Sequence, residues 1–263
     1  MTLHDCHHFY EEGGEEFPDF EFEDFVRTKK ETLEVFNFKS YEPTDFTNLQ
    51  FCKNLKVLEM SCSFNALESL AFLKNLTTLE VKFNGHEQDK MYPPPNCLPN
   101  LKFLKVSLET DDYCRLLNDQ HPELLLISLI NTCPNVRRLE VHKIKCSRKI
   151  PMTPACIAEI AEKCLMLEDL TFDWRWENIN IDHLEGNITD KLTKLKFLQL
   201  KGWNFSRRVS QRLIKNCSKL IRIQNGGDLF VKAGASVEQV FKSYLTTSYT
   251  KNSPLNFEKM KIV

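Results

Sequence analysis

Glycine is scarce in this chain, and none of the motifs in which glycine shapes a catalytic loop is present. Only 8 of the 263 residues are glycine. No set of them forms a dinucleotide-binding GxGxxG, a P-loop or the GxSxG nucleophile elbow. The phosphate-binding loops and the activated serine that these motifs supply are therefore excluded. We predict that the chain is not an enzyme and that it uses no cofactor.

Long apolar runs and closely spaced cysteine pairs are also missing. The longest nearly unbroken apolar run, residues 124–130, covers about a third of a bilayer, so no membrane span is predicted. Of the ten cysteines, the closest pair, Cys156 and Cys164, lies eight residues apart, which excludes a CxxC zinc ribbon. The N-terminus lacks the pattern of a signal peptide. We expect free thiols in a reducing compartment, cytoplasmic or nuclear.

Basic residues are absent from the first part of the chain. Residues 1–26 contain nine acids and no lysine or arginine, whereas the remainder carries 35 basic and 27 acidic residues. Two interpretations stay open: the segment is a solvated arm, or it folds back over a basic face. It also contains His4, Cys6, His7 and His8, which are of metal-ligand type. Adjacent ligands rarely complete one tetrahedral site, so we predict no bound metal and a flexible tail instead.

A repeat with apolar residues at offsets 0, 3 and 5 runs through the rest of the sequence. One copy consists of Leu55, Leu58 and Met60. Of the 24 positions in eight copies, 23 are apolar, where a composition of 42% predicts about ten. Lys-Asn or Pro-Asn often precedes the frame. The eight frames begin at Leu33, Leu55, Leu76, Leu101, Val136, Leu167, Leu195 and Leu220.

The position three residues before each frame is leucine or cysteine in seven of the eight copies. Cys52, Cys133, Cys164 and Cys217 occupy it where leucine does so in other copies. A residue that is interchangeable with leucine is a small buried hydrophobe rather than a nucleophile. We expect these four thiols to be buried and unreactive.

The pattern resembles the leucine-rich repeat, L-x-x-L-x-L, whose period is about 20–29 residues. Frames here start about 27 residues apart on average. The resemblance implies an α/β leucine-rich-repeat solenoid, or horseshoe, with a parallel β-sheet on the concave face and helices or irregular segments on the convex face. The asparagine or cysteine that the family often has at offset 8 occurs only once, at Asn84, so we expect irregular repeats.

The segments between frames have helical patterns in four places: residues 20–32, 122–133, 153–164 and 207–217. In the third, Thr153 is a predicted N-cap followed by proline at the first helical position. We divide the chain into an acidic, flexible tail (residues 1–19), about eight irregular repeats (20–228) and a C-terminal cap and tail (229–263). Within the last part, residues 237–245 form a predicted terminal helix. Asn225, the one polar frame residue, marks the predicted end of the strand stack.

A helix that ends in Cys-Pro-Asn and leads into Leu-x-x-Leu-x-Val is similar to the repeats of F-box/leucine-rich-repeat proteins, and the irregular period is similar to those of arthropod type. This resemblance implies the substrate-recognition part of an SCF-type ubiquitin ligase, with a protein target on the concave face. The F-box itself is absent, so a Skp-type adaptor and a cullin are expected only with a longer form that carries one. The alternative is a free-standing intracellular scaffold or inhibitor without a ligase link.

The concave face is the predicted binding surface, because the offsets between the core positions point there. We expect a monomer that binds protein; the mixed charge of this face and the lack of an RNA-binding motif argue against nucleic acid. The predicted partner-binding residues of the face are Lys102, Phe103, Lys105, Arg137, Arg138 and Phe197. Trp174, Trp176 and Trp203 follow predicted strands and are either partner contacts on a rim or packing residues.

Overall fold

The structure is a computed structural model. It describes residues 22–38, 47–62, 70–84, 94–109, 122–144, 153–174, 179–225, 228–236 and 260–262. The chain divides into two compact units. Unit 1 comprises Met1–Pro134 and Ile144–Arg148, and unit 2 comprises Asn135–Lys143 and Lys149–Val263.

The elements of unit 1 are α1 (Phe22–Lys29), β1 (Val35–Phe38), a 3-10 helix (Thr47–Phe51), β2 (Val57–Cys62), β3 (Thr78–Asn84), β4 (Phe103–Glu109) and α2 (Pro122–Thr132). The four strands form a parallel sheet in the order β1-β2-β3-β4. Its register places Phe36 beside Leu58, Leu58 beside Leu79, and Leu79 beside Leu104. The offset-3 residues of four successive repeats therefore stand in one row.

Unit 2 contains further repeats of the same kind. Its elements are β5 (Arg138–Ile144), α3 (Ala155–Lys163), β6 (Asp169–Asp173), β7 (Ile179–Asn180), a 3-10 helix (Asp182–Leu184), α4 (Glu185–Lys191), β8 (Phe197–Lys201), β9 (Trp203–Asn204), α5 (Arg207–Asn216), β10 (Arg222–Asn225), β11 (Asp228–Val231) and β12 (Met260–Ile262). Strands β5, β6, β8 and β10 are parallel, and α3, α4 and α5 stand in the three connections between them. Strand β11 is antiparallel to β10, β12 is parallel to β11, and β7 pairs with β9 in a separate sheet.

The core is the one that the repeat predicts. Every frame residue whose side chain is described is buried, and Leu58, Leu139 and Ile223 have 0% exposure. The short strands cannot bury themselves, so each repeat depends on its neighbours. At the position three residues before each frame, Cys52, Cys133 and Cys164 are buried as expected, whereas Cys217 is half-buried.

The helix predictions are confirmed in position and corrected in detail. Helices α2 and α5 begin where the pattern places them, and α1 is shorter than predicted. Helix α3 begins at Ala155 with Pro154 as its N-cap, so Thr153 is not the cap that we predicted. Helix α4 was missed because its seven residues bury only Ile188, which gives no apolar period. Residues 237–245 lie outside the described part.

An asparagine ladder joins the turns that precede the strands in unit 1. Asn54 donates its Nδ2 hydrogen to the Glu31 carbonyl at 2.8 Å, Asn75 to that of Lys53 at 2.7 Å, and Asn100 to that of Lys74 at 2.9 Å. The Lys-Asn and Pro-Asn dipeptides of the sequence thus have a structural role, at offset −1 instead of offset 8.

Asn225 closes the parallel stack. Its buried side chain accepts a hydrogen bond from the Phe205 N–H at 3.0 Å and donates to the Phe205 carbonyl and to Ser210 Oγ. The sheet continues past it, since β11 pairs antiparallel with β10 and β12 pairs with β11, so the prediction that Asn225 marks the end of the strand stack is wrong; it marks only the end of the parallel repeats. The fold class is an α/β leucine-rich-repeat solenoid, shown by the repeat register and the buried frames.

Candidate functional site

The candidate site is the outer face of the sheet, defined here as the strand side chains at offsets 2, 4 and 6. Because side chains alternate across a strand, these residues lie opposite the core positions at offsets 3 and 5. Each strand of a repeat begins at offset 2, as Phe103 does in β4 and Arg138 in β5. The predicted residues at offsets 2 and 4 lie in the first half of each strand, and those at offset 1, Lys102 and Arg137, come just before it, at the margin of the face.

On unit 1 a row of two valines, one threonine and one phenylalanine, mainly apolar and called here the apolar row, crosses the outer face. Val35, Val57, Thr78 and Phe103 are neighbours in register on four parallel strands. Val35 is 37% exposed, and the other three are half-buried. This apolar row is therefore in reach of a partner's side chains, whereas the core positions beside it are not.

Polar residues flank the apolar row on both sides. On the side where the strands begin, backbone hydrogen bonds of 2.8 Å link Lys56 to Thr77 and Thr77 to Lys102. On the other side, Glu80 and Lys105 are neighbours in register, and Lys105 Nζ lies 2.8 Å from a carboxylate oxygen of Glu80. An apolar strip between polar margins has the anatomy of a protein interface.

The three predicted partner-binding residues of unit 1, Lys102, Phe103 and Lys105, differ in exposure and in the contacts that they already make. Lys102 is exposed, and within the described ranges no ion pair of its ammonium group is found. Phe103 is half-buried at the end of the apolar row. Lys105 is already paired with Glu80. Lys102 therefore offers its charge to a partner more readily than Lys105.

On unit 2 the outer face carries a row of charged and aromatic residues. Arg138, Asp169, Phe197 and Arg222 are neighbours in register. Arg138 donates to Glu140 Oε1 from Nε at 2.9 Å and from a terminal nitrogen at 2.5 Å, and it lies 3.9 Å from Asp169. Arg222 is only 2% exposed, and its guanidinium carbon lies 5.3 Å from the centre of the Phe197 ring.

The pKa values of two carboxyl groups on this face, Asp169 and Glu140, are shifted in opposite directions. Burial raises the pKa of Asp169 to about 6; Arg138 and Arg222 counteract this shift, and Glu140 adds to it. Burial would also raise the pKa of Glu140, but hydrogen bonds from His142 and Arg138 hold it below its ordinary value. Of the two, Asp169 is thus the group whose ionisation the fold resists.

Neighbouring charges on unit 2 are paired as well. Arg137 lies 3.6 Å from Glu168, and Lys196 Nζ lies 2.6 Å from the same carboxylate. At offset 6, Lys201 Nζ lies 2.9 Å from Asp173. The predicted basic residues Arg137 and Arg138 thus stand against carboxylates of their own unit, and their binding of a partner stays a prediction.

The tryptophans are packing residues where the structure describes them. Trp174 is 2% and Trp203 1% exposed, which favours the packing interpretation over the rim contact for both. Trp203 stacks on Phe172 with ring centres 4.5 Å apart, and Lys143 Nζ lies 5.3 Å from the Trp174 ring. The short β7–β9 pair, which contains Trp203, is an element that sequence reasoning did not foresee, as α4 is. Trp176 lies outside the described residues.

A reactive cysteine requires a thiol of lowered pKa, and a metal site requires several ligand side chains close together. Burial raises the pKa of Cys52 to about 11 and that of Cys164 to about 12, which makes both thiols poor nucleophiles. No group of three or more His, Cys, Asp or Glu side chains that could hold a metal occurs among the described residues. His4, Cys6, His7 and His8 lie outside them.

None of the helices in the described ranges is both long enough and apolar enough to traverse a bilayer.

Comparison with known proteins gives remote structural neighbours only. No protein-family model matches the sequence, and no curated protein matches it significantly. A leucine-rich-repeat protein of Leptospira interrogans is 13% identical over 77% of this chain and 56% of its own, with a TM-score of 0.40. A Bacteroides fragilis protein is 15% identical over 77% of this chain and 68% of its own, with a TM-score of 0.34. An internalin of Listeria monocytogenes is 12% identical over 76% of this chain and 83% of its own, with a TM-score of 0.23.

The match thus spans little more than half of the Leptospira protein. Because the identities and TM-scores are low, the assignment of the fold rests on this chain's own strands and repeats. The class defined by fold and site together is a leucine-rich-repeat protein with a polar-flanked apolar row on its sheet.

Proposed function

We propose that the chain is a protein-binding module and that the outer face of unit 1 is its binding surface. One observation supports this proposal above all: Val35, Val57, Thr78 and Phe103 form an in-register apolar row between polar rows. Parallel strands lie about 4.8 Å apart, so the row is about 14 Å long. That length suits a short helix or an extended segment of a partner laid across the strands.

The chemistry of the row defines what fits there. Phe103 would provide the aromatic contact that dominates many interfaces, with the row's smaller side chains beside it. Lys102, next to Phe103 in the chain, would attract a carboxylate at the margin of the contact. Charges at a rim chiefly steer association and set specificity. The partner we propose is therefore a protein segment with an apolar strip and an acidic group at one end.

Unit 2 is the weaker candidate for the binding surface because the charged side chains of its outer face are already paired with one another. Arg138 is held by Glu140 and Asp169, and Phe197 faces the guanidinium group of Arg222. A partner that used these groups would have to replace contacts already made, which leaves buried charges uncompensated. In this proposal, Arg137, Arg138 and Phe197 support the fold of unit 2 more than they bind.

The experiment compares capture of proteins from the source cells by three full-length baits. The first is the unchanged chain, and the second combines Lys102→Glu with Phe103→Ala. The control combines Lys163→Glu with Leu165→Ala, which changes one exposed lysine and one exposed apolar residue of unit 2. Circular dichroism verifies that all three are folded.

A partner retained by the control and lost by the Lys102/Phe103 variant supports the proposal. A partner retained equally by all three baits contradicts the unit 1 surface.

Within this function, we infer that the partner is the substrate of a ubiquitin ligase. The support is the resemblance of the Cys-Pro-Asn repeats to those of F-box/leucine-rich-repeat proteins. The test is to isolate the endogenous protein from its own cells and to identify what accompanies it. A Skp-type adaptor and a cullin are the expected result. A stoichiometric partner without either would instead favour the alternative, a scaffold or inhibitor.

A further inference from the structure

Two exposed phenylalanines occupy the same position in neighbouring repeats of unit 1. Phe51 is 50% and Phe72 56% exposed, and each stands four residues before its frame. The backbone is the same around both: the N–H two residues later bonds to the Phe51 carbonyl at 3.0 Å and to the Phe72 carbonyl at 3.1 Å. Large aromatic side chains exposed in pairs are unusual on a monomer and mark a contact surface.

Lysines accompany both rings. Lys53 and Lys74 lie two residues after Phe51 and Phe72, and both are exposed. Lys74 Nζ donates one hydrogen to the Cys97 carbonyl at 3.3 Å, which leaves its two other hydrogens for a carboxylate. No ion pair of Lys53 occurs within the described ranges. The first repeat has Glu31 at the corresponding position. We call Phe51, Lys53, Phe72 and Lys74 the aromatic edge.

The asparagine ladder holds the aromatic edge together. Asn75, which follows Lys74, donates its side-chain hydrogen to the carbonyl of Lys53 at 2.7 Å. The two turns are therefore neighbours at about the separation of paired strands. Phe51 and Phe72 with their lysines therefore lie on adjacent turns, within reach of one bound segment.

The chain itself contains a segment of complementary chemistry. Residues 11–21, EEGGEEFPDFE, combine six carboxylates with two phenylalanines and contain no lysine or arginine. They lie outside the described residues and directly precede α1. Helix α1 packs against the 3-10 helix Thr47–Phe51, which ends in the first ring of the aromatic edge.

The chain is long enough for the two to meet. Helix α1 has eight residues and is about 12 Å long, and its last residue, Lys29, stands at the offset of Phe51. Six extended residues before Phe22 reach about 20 Å, which exceeds that length. Glu15, Glu16 and Phe17 can therefore return along α1 to the edge.

We propose that residues 11–21 dock on the aromatic edge of unit 1 in the same molecule. The phenylalanines of the segment cover Phe51 and Phe72, and its carboxylates pair with Lys53 and Lys74. This contact would be regulated by ionic strength, since opposite charges in solvent are screened at a Debye length of about 3 Å in 1 M salt. The aromatic edge is separate from the outer face, so either proposal can fail without the other.

The test is zero-length carboxyl–amine cross-linking of the full chain, read out by mass spectrometry on an equal mixture of ¹⁴N- and ¹⁵N-labelled protein. We expect cross-links from residues 11–21 to Lys53 and Lys74 within single-isotope molecules. The combination of Phe51→Ala and Phe72→Ala should lower their yield roughly tenfold, as should high salt. The control Leu124→Ala removes another exposed apolar side chain of unit 1 and should change nothing.

Charge reversal provides a second, independent check. Glu15→Lys with Glu16→Lys should abolish the cross-links between these two positions and the edge, and adding Lys53→Glu with Lys74→Glu should restore them with reversed polarity. Three results would overturn the proposal: no cross-link to the edge, a yield indifferent to the Phe51/Phe72 variant, or cross-links of which roughly half join differently labelled molecules, as random pairing of two copies gives. The last would assign the edge to a second copy of the chain.

Discussion

Replacing Asp169 by asparagine should stabilise unit 2 at neutral pH. The carboxyl group is 14% exposed and lies 3.9 Å from Arg138. Its pKa is nevertheless raised from 3.8 to about 6, because burial outweighs both arginines. The native state therefore disfavours the ionised carboxylate relative to the unfolded state, and asparagine removes that charge while keeping the shape of the side chain.

The magnitude follows from the size of the shift. Two pH units correspond to about 3 kcal/mol, which is the largest gain expected from Asp169→Asn at neutral pH. Below about pH 6 the native state takes up a proton that the unfolded state does not, so wild-type stability rises as the pH falls towards about 4. Between about pH 7.5 and pH 5 this gain amounts to about 1 kcal/mol, and the variant should lack it.

The assay is urea unfolding followed by tryptophan fluorescence at several pH values. All three tryptophans belong to unit 2, so the signal reports this unit. Asp190→Asn, at an exposed aspartate of the same unit, is the matched control and should leave the pH dependence unchanged. A variant that is less stable than wild type at neutral pH would refute the reasoning, because the arginine pairs would then outweigh burial.

Three further predictions concern the repeat itself. Leu139→Ala should lower the free energy of unfolding by about 2–5 kcal/mol, because Leu139 has 0% exposure; urea unfolding measures this, and a loss under about 1 kcal/mol would contradict a packed frame. Asn75→Ala should cost about 0.5–1.5 kcal/mol by removing the bond to Lys53, and unchanged stability would show that the ladder is incidental. Cys164 should react with a disulfide reagent more slowly than half-buried Cys217, since its pKa is about 12; equal rates would contradict its burial.

The core could be predicted from the sequence because burial imposes a period. Leu58 and Leu79 occupy the same offset for the same physical reason, so the pattern repeats wherever a strand stacks on its neighbour. The short helix α4 gave no such pattern because only Ile188 among its residues is buried. The tryptophans were ambiguous, since a large aromatic residue after a strand serves equally well in a turn or in an interface.

The candidate site could be predicted only in part. Strand alternation placed Phe103 on the outer face, opposite buried Leu104, whereas Lys102 at offset 1 comes just before β4 and stands at the margin of that face. The offsets could not show that Arg138 is held by Glu140 two residues later, which depends on side-chain positions in three dimensions. The exposed Phe51 and Phe72 were missed for a similar reason: nothing in the repeat pattern separates an exposed phenylalanine from a buried one.

The central claim is that a protein partner binds the apolar row of unit 1, and the most direct measurement is a dissociation constant. The captured partner, once purified, is titrated against the unchanged chain, Phe103→Ala, and the control Leu165→Ala. We predict that Phe103→Ala weakens binding about tenfold or more, as removal of a central aromatic contact does, while the control binds like the unchanged chain. Equal dissociation constants for all three proteins would contradict the claim.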